Sequence, residues 1–344
     1  MIILELDEPR WLGFVESCST ATPFHHPTWA RLLAECYGYR PFALALTDSS
    51  GQVVAGIPVV EVSSFIGQRR WLSLPFTDSC PPLALSDVWS ERLVAALDAA
   101  RREAGIASLE VRAPLAGAGV HCRETAVSHA LALTADPQAV YQTFKRSQVQ
   151  RNIRKAEREG VQVRRGDARS DLVDVFYQLH LLTRQRQGTP VQPRRFFELL
   201  WTRIIEPGLG HVLLAYVGDN PVAGAVFLTW NGTMIYKFGA SDPEFWKFRP
   251  NHPIFWDAIR WGCEQGFRTF DFGRTDFENE GLRDFKSGWG AQEEPLVYAT
   301  FASGQTRSAA SRTGSANRAI GTLIQRSPQW VCRVLGELLY KYAA

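Results

Sequence analysis

Apolar residues change their period several times along this chain, and each change marks an element. Phe42–Thr47 and Val53–Val62 are two short apolar runs on either side of the turn residues Asp48-Ser-Ser-Gly51, a pattern that predicts a hairpin. A short helix is expected before them at Trp29–Cys36. After them come a strand at Trp71–Leu74, a helix over Val88–Ala104 ended by Gly105, and a strand at Ser108–Arg112. The second half repeats this grammar. Val212–Val217, a turn at Gly218-Asp-Asn-Pro221 and Val222–Phe227 form another hairpin pattern. A strand at Thr233–Ala240 follows, then a helix whose apolar positions are Ile254, Ala258, Ile259, Trp261 and Cys263 and whose end is marked by Gly262 and Gly266, and a strand flanked by Phe267, Phe270 and Phe272. Val54-Ala-Gly56 recurs as Val222-Ala-Gly224, and Ala104–Arg112 parallels Gln265–Gly273. Two runs of hairpin, strand, helix and strand in one order predict tandem related domains.

Asp136-Pro137 opens a helix through Phe144, and Ser147-Gln-Val-Gln150 reads as a capping box for another. Helices are also expected over Asp171–Gln185 and Pro193–Ile205. Between those two lies the polar loop Arg184-Gln-Arg-Gln-Gly-Thr-Pro190, read either as a substrate-facing segment or as an ordinary connection. After Phe301 the composition turns to Ser, Ala, Gly, Thr and Arg, a linker signature. Apolar residues return at Arg318–Tyr342, split by Pro328 into two amphipathic segments with Trp330 and several basic residues. Such a tail would lie on an anionic membrane surface, dock on a partner, or pack back on its own domain. The expected division is therefore 1–135, the basic linker helices 136–165, the catalytic domain 166–301, a flexible linker 302–317 and a tail 318–344.

The chain has 344 residues, 45% of them hydrophobic and 12% aromatic, enough for substantial cores. A net charge of +3 argues against a molecule-wide polyanion surface, so any basic site must be local. The acidic start broken by Pro9 does not read as a signal peptide, and no apolar run reaches bilayer-spanning length. Six scattered cysteines without a CxxC pair read as reduced thiols of a cytoplasmic protein, and the histidines form no HExxH, so no metal is expected.

Candidate chemistry gathers at Met234–Gly290. The helix start around Asn251, a plausible N-cap before Pro253, would offer free backbone N–H groups to an anion, with Arg249 and His252 at its entrance. Beyond the next strand come Arg274, Asp276 and Glu278, in the position where open α/β sheets place sites. Tyr236 and Lys237 alternate faces on the central strand, so at most one of them faces the site. Arg151, Arg154, Lys155 and Arg158 form a basic stripe, either a phosphate contact or the solvated face of a linker helix.

Together, Ser147-x-x-x-Arg-Asn-Ile-Arg-Lys-Ala-x-x-x-Gly160, the loop before Gly188, the Val222-Ala-Gly hairpin, Phe270-Asp-Phe-Gly-Arg274 and Gly281-Leu-x-x-Phe-Lys286 with Gly288 resemble the FemAB-like branch of the GNAT acyltransferases. That branch includes peptidoglycan bridge-forming aminoacyl transferases and proteins encoded with exopolysaccharide or protein-sorting systems. The resemblance implies an α/β (α+β) fold of tandem GNAT-like domains, each a mixed twisted sheet flanked by helices. It also implies transfer of an acyl or aminoacyl group from an acyl-CoA or an aminoacyl-tRNA to a small-molecule, glycan or peptide amine, with no tightly bound cofactor. The donor would lie where two central strands splay. Lys286 then stands as a cation beside the oxyanion or a donor phosphate, or else as a surface lysine; Asp271 is either an acceptor that orients the amine or a structural carboxylate that caps a neighbouring loop, with Glu278 and Asp276 as alternative bases. Arg249, Asn251, His252, Arg274 and Tyr236 would contact the donor, and Arg151, Arg154, Lys155 and Arg186 the substrate. Phe248-Arg-Pro-Asn-His-Pro253 stands where acetyl-CoA-dependent members have a glycine-rich loop, and no long charged helical hairpin is inserted. The donor stays open between thioester and tRNA ester. The rival reading is a catalytically silent GNAT-like module recruited to a membrane-associated machine.

Overall fold

The computed structural model describes residues 1–63, 67–302, 321–322 and 324–340; all but the first residue of the expected 302–317 linker lies outside them. Two compact units divide the chain: Met1–Val127 with the strand residues from Pro295 on, and Ser128–Glu294 with the C-terminal helix.

The first unit contains β1 (Ile2–Leu4), α1 (Pro9–Ser17), α2 (Pro27–Tyr37), β2 (Arg40–Thr47), β3 (Val53–Ser63), β4 (Arg69–Leu72), β5 (Leu83–Ala84), α3 (Asp87–Glu103), β6 (Ser108–Val111) and the start of β7 (Val120–Ala132). β2 and β3 form the expected hairpin, β4 adds antiparallel to β3, and α3 carries the chain to β6, which runs parallel to β4. The core of this unit lies between α3 and these strands, with Leu93, Leu97, Ile57, Val59, Leu109 and Val111 at its centre.

The second unit holds α4 (Pro137–Thr143), α5 (Arg151–Arg158), β8 (Val161–Arg165), α6 (Tyr177–Gln187), α7 (Arg194–Leu200), β9 (Gly210–Val217), β10 (Asn220–Trp230), β11 (Thr233–Ser241), α8 (Asn251–Glu264), β12 (Thr269–Thr275), α9 (Glu280–Ser287), the start of β13 (Gln292–Ala302), and α10 (Gln329–Leu339). Its strands follow the order β12-β11-β10-β9-β8. β9 and β10 are antiparallel, β11 adds antiparallel to β10, and α8 crosses to β12, parallel to β11. The two units thus repeat one topology. The shared Val-Ala-Gly has the same use in both. A Cβ at Gly56 would meet the Trp11 ring at 2.6 Å, and one at Gly224 would meet the Phe176 ring at 2.9 Å. In each hairpin the bare glycine lets an aromatic from a preceding helix settle on the sheet.

Local details differ from the sequence expectation in places. Ser147 caps nothing: the backbone is already helical from Arg146 in a π-turn that runs into α5. Asn251 is the first residue of α8 rather than its cap, Pro250 being the cap, and Gly262 lies inside the helix. β7, β8, α9 and β13 had no clear periodic signal. No disulfide joins any of the six cysteines, and no helix among the described residues is long and apolar enough to cross a membrane.

Candidate functional site

β11 and β12 are hydrogen-bonded partners only at their beginnings, Thr233–Ile235 against Thr269–Asp271, and then separate. The parting is held on both sides. On one side Thr183 of α6 binds the last residue of β11 twice, accepting from the Ser241 N–H at 3.0 Å and donating to its carbonyl at 3.3 Å. On the other, Lys286 of α9 donates from Nζ to the Gly273 carbonyl at 2.8 Å and to the Arg274 carbonyl at 3.0 Å. Those carbonyls lie beyond the residues of β12 that pair with β11. A third irregularity falls in the same place. The β10–β11 register slips by one residue between Val226 and Phe227, leaving Lys237 as an extra residue, a β-bulge. The bulge breaks the alternation expected for the strand. Tyr236 packs its ring against Phe255 at 4.7 Å, while Phe238 packs with Phe196, Phe197 and His180.

Where the strands part lies a cavity of about 390 Å³. Its walls come from the end of α6 (Thr183, Arg186, Gln187), from β11 (Tyr236, Gly239–Ser241), from Trp246, from the first turn of α8 with Arg249, and from Leu282 and Phe285 of α9. Five residues chosen from the sequence therefore meet here: Arg186, Tyr236, Arg249, Asn251 and His252. Arg186 lies 4.6 Å over the Trp246 ring and donates to the Ser241 carbonyl; burial lowers its pKa, against the neighbouring Asp242, which raises it. Arg249 adopts a left-handed backbone, φ 59°, between a 3₁₀ turn and α8. For a residue with a side chain that conformation costs on the order of 1 kcal/mol, and such costs concentrate at functional sites. The Tyr236 hydroxyl lies over Gly239, where any Cβ would fall 1.7 Å from it, and burial pushes its pKa up to about 12.

His252 is buried, 7% exposed, and its pKa falls to about 4, first through burial and then through Arg249. Its ring is therefore neutral at pH 7, and Nε2 lies 3.2 Å from Nδ2 of Asn152 on α5. With the amide donating, Nε2 is the acceptor and the proton resides on Nδ1. Asn152 was not among the residues singled out, yet it carried a signal: Val149, Asn152, Ile153 and Ala156 share one helical face, so it is a polar residue on an apolar stripe.

The remaining sequence choices fall elsewhere. Lys286 is 2% exposed and does not line the cavity; it anchors α9, whose Leu282 and Phe285 do. Asp271 accepts from the Gly273 N–H at 2.7 Å, which holds the turn of β12, and Arg274 pairs with Asp276 at 2.7 Å. Glu278 is exposed in the loop before α9. Arg151 and Arg154 are exposed and Lys155 half-buried on the outer face of α5. Among the described residues no carboxylate lines the cavity. The cavity is cationic, with two guanidiniums, a neutral imidazole donor and an aromatic wall, and it suits an anionic ligand whose uncharged end enters between the strands.

A family model described as acetyltransferase (GNAT) domain matches residues 143–287, the segment that builds this cavity. Over these residues the chain carries a GNAT-type domain. Over 75 residues it is 36% identical to the lipid II:glycine glycyltransferase of Staphylococcus aureus, a stretch that is 20% of this chain and 18% of that protein. The chain thus matches about a fifth of the length of that curated relative. The crystal structure of FemX superposes with a TM-score of 0.70 at 16% identity, covering 95% of this chain and all of that one. A tandem GNAT protein from the clavulanic acid biosynthesis pathway superposes with a TM-score of 0.50 at 12% identity, covering 89% and 98%. These likenesses show a tandem GNAT-type fold. The matched segment contains the strand parting and the cavity beside it.

Proposed function

We propose that the FemAB-like domain is an N-acyltransferase or aminoacyltransferase. In this reading the acyl group of a thioester or tRNA-ester donor enters between β11 and β12, and the donor's phosphate meets Arg186 and Arg249 at the mouth. The acceptor is an amine on a glycan, peptide or small molecule of cell-wall or exopolysaccharide assembly. The observation that carries the proposal is the cavity itself: strands held apart from both sides, with cations at its rim. The amine lone pair forms a C–N bond at the acyl carbon, the carbonyl π electrons move to oxygen, and collapse of that oxyanion breaks the C–S or C–O bond. The proton lost by nitrogen goes to the leaving thiolate or alkoxide, directly or through water. Since neither Asp271 nor Glu278 is among the described residues that line the cavity, general-base help from them would require a substrate-induced rearrangement. His252, protonated on Nδ1, supplies a hydrogen-bond donor rather than a base.

The resemblance to a lipid II:glycine glycyltransferase, over a stretch of 75 residues, favours transfer of an aminoacyl group to an amine on a cell-wall precursor. The test is a thermal-shift panel of acyl-CoAs, free CoA and aminoacyl-tRNA, followed by transfer of a labelled acyl group to amine acceptors, with Arg249→Ala beside the wild type. Stabilisation by one donor class, weakened in the variant, supports the proposal. A folded protein that ignores every donor would leave the silent binding module as the better reading.

A further inference from the structure

The C-terminal helix α10 has two unlike faces. One is docked on the second unit: Cys332 is buried with Sγ 3.6 Å from the Thr189 carbonyl, and Gly336 lies so close to Val191 that a Cβ there would fall 1.9 Å from its carbonyl oxygen. Just before the helix, Gln325 donates to the Arg186 carbonyl at 3.2 Å. The other face is bare. Trp330, Val334 and Leu338, at 61%, 39% and 61% exposure, repeat every four residues and form one apolar stripe. Arg333 and Glu337 are exposed along one flank of it, and Arg326 is exposed just before the helix. Charge follows the same geography. Residues 303–344 contain six Arg and Lys against one Glu, a net of +5, while the whole chain carries +3. The other residues are thus slightly acidic, and the positive charge of the molecule belongs to this tail.

We propose that α10 is an interfacial anchor that rests its Trp330–Val334–Leu338 stripe in an anionic phospholipid surface, with Arg326 and Arg333 paired to lipid phosphates. Two considerations choose lipid over a protein partner. Three side chains on nine residues of helix span about 12 Å and fall well short of the roughly 800 Å² per partner that a stable protein interface buries. A bilayer surface instead adds the contribution of each inserted apolar side chain to that of each nearby cation. Tryptophan also favours the headgroup boundary, where its ring is buried and its N–H stays wet. The docked face links this anchor to the cavity, because the backbone that Gln325 holds is that of Arg186. Bound lipid would therefore place the cavity beside a membrane-attached acceptor. The anchor does not depend on which donor the cavity takes.

The test is co-sedimentation of the full chain with large unilamellar vesicles of phosphatidylcholine, or of phosphatidylcholine with phosphatidylglycerol, for wild type and the double variant Trp330→Ser/Leu338→Ser. The expected result is binding to the anionic vesicles that weakens at least about fivefold in neutral vesicles or in 0.5 M salt, on the order of what several screened cations contribute. The double variant melts with the wild type and binds about tenfold more weakly, the loss of two inserted side chains. As a second readout, lipid-borne bromine quenches a tryptophan signal present in the wild type and missing in Trp330→Phe. Three results overturn the proposal: wild type that stays in solution with anionic vesicles, a folded double variant that binds equally well, or a dimer in sedimentation equilibrium that the double variant dissolves.

Discussion

Lys286 offers the sharpest test of how the cavity is held. Its Nζ donates to the carbonyls of Gly273 and Arg274 at 2.8 and 3.0 Å, at 2% exposure, and this tie fixes α9 against β12. Replacing it by alanine removes two charge-assisted hydrogen bonds, each about 1.5–3 kcal/mol, and leaves two buried acceptors without this donor. Part of that loss is offset because the ammonium no longer has to be desolvated. The net expectation is a destabilisation of about 2–4 kcal/mol, or a fall in Tm of roughly 5–12 °C for a unit of this size. Lys286→Met keeps the stem and loses only the ammonium, so it separates packing from hydrogen bonding. Both variants should also raise KM for the donor more than they lower kcat, since Leu282 and Phe285 shift with the helix. Melting curves by circular dichroism and steady-state kinetics read both effects. Lys286→Met that melts within about 1 °C of the wild type while turnover is abolished would refute the anchoring argument, and would mean that the ammonium acts on the reacting group.

Arg249→Ala should weaken donor binding about tenfold or more, as expected for a lost cation at a phosphate, with an unchanged or slightly higher Tm. Its left-handed backbone is better suited by Asn or Gly, so Arg249→Gly should raise Tm while also losing affinity, and titration calorimetry reads the binding arm. Stability should fall on mild acidification. His25 and His252 have pKa values lowered to about 4, and His180 and His211 to about 3, chiefly by burial. A lowered folded pKa means that the unfolded chain binds the proton first. Stability is full above about pH 6.5 and falls by about 1.4 kcal/mol per pH unit for each such group as pH drops towards its folded pKa. Urea midpoints measured from pH 7 to pH 5 should track this, and His180→Phe should flatten the slope; a flat wild-type profile would contradict it. Gly336→Ala should undock α10 through its clash with the Val191 carbonyl, exposing Cys332 to thiol reagents at least about tenfold faster than in the wild type.

The hairpins and both crossovers were legible because each depends on local signals: glycine turns at Gly51 and Gly218, apolar runs of strand length, and a helix closed by Gly105 or Gly266. The elements that escaped lacked such signals. After Val120, β7 continues with His121, Cys122, Arg123 and Glu124, and β13 begins with Gln-Glu-Glu-Pro, so neither shows an apolar alternation until it is about half over. α9 is two turns long and opens on Glu280-Gly281, which reads as loop. Of the site, the residues around one turn, Arg249 to His252, could be found together because the chain itself keeps them together. Asn152 lies a hundred residues from His252, and Thr183 lies 58 from Ser241; only tertiary packing makes those pairs.

The departures from local regularity are not spread evenly. The extra residue at Lys237, the left-handed Arg249, the neutral buried His252 and the abandoned pairing of β11 with β12 all fall within one stretch of about forty residues. Each on its own costs free energy relative to an ideal sheet and helix. The bulge turns Tyr236 and Phe238 to opposite faces, so that one wall of the cavity is aromatic while α6 still has a ring to pack on. The left-handed residue reverses the chain so that the first turn of α8 joins the same cavity. Thr183 and Lys286 then keep open a gap that two parallel strands would otherwise close by pairing. The sheet gives up hydrogen bonds at the one position where the gap is lined with cations, which is the arrangement expected if an anionic donor supplies the missing contacts when it binds.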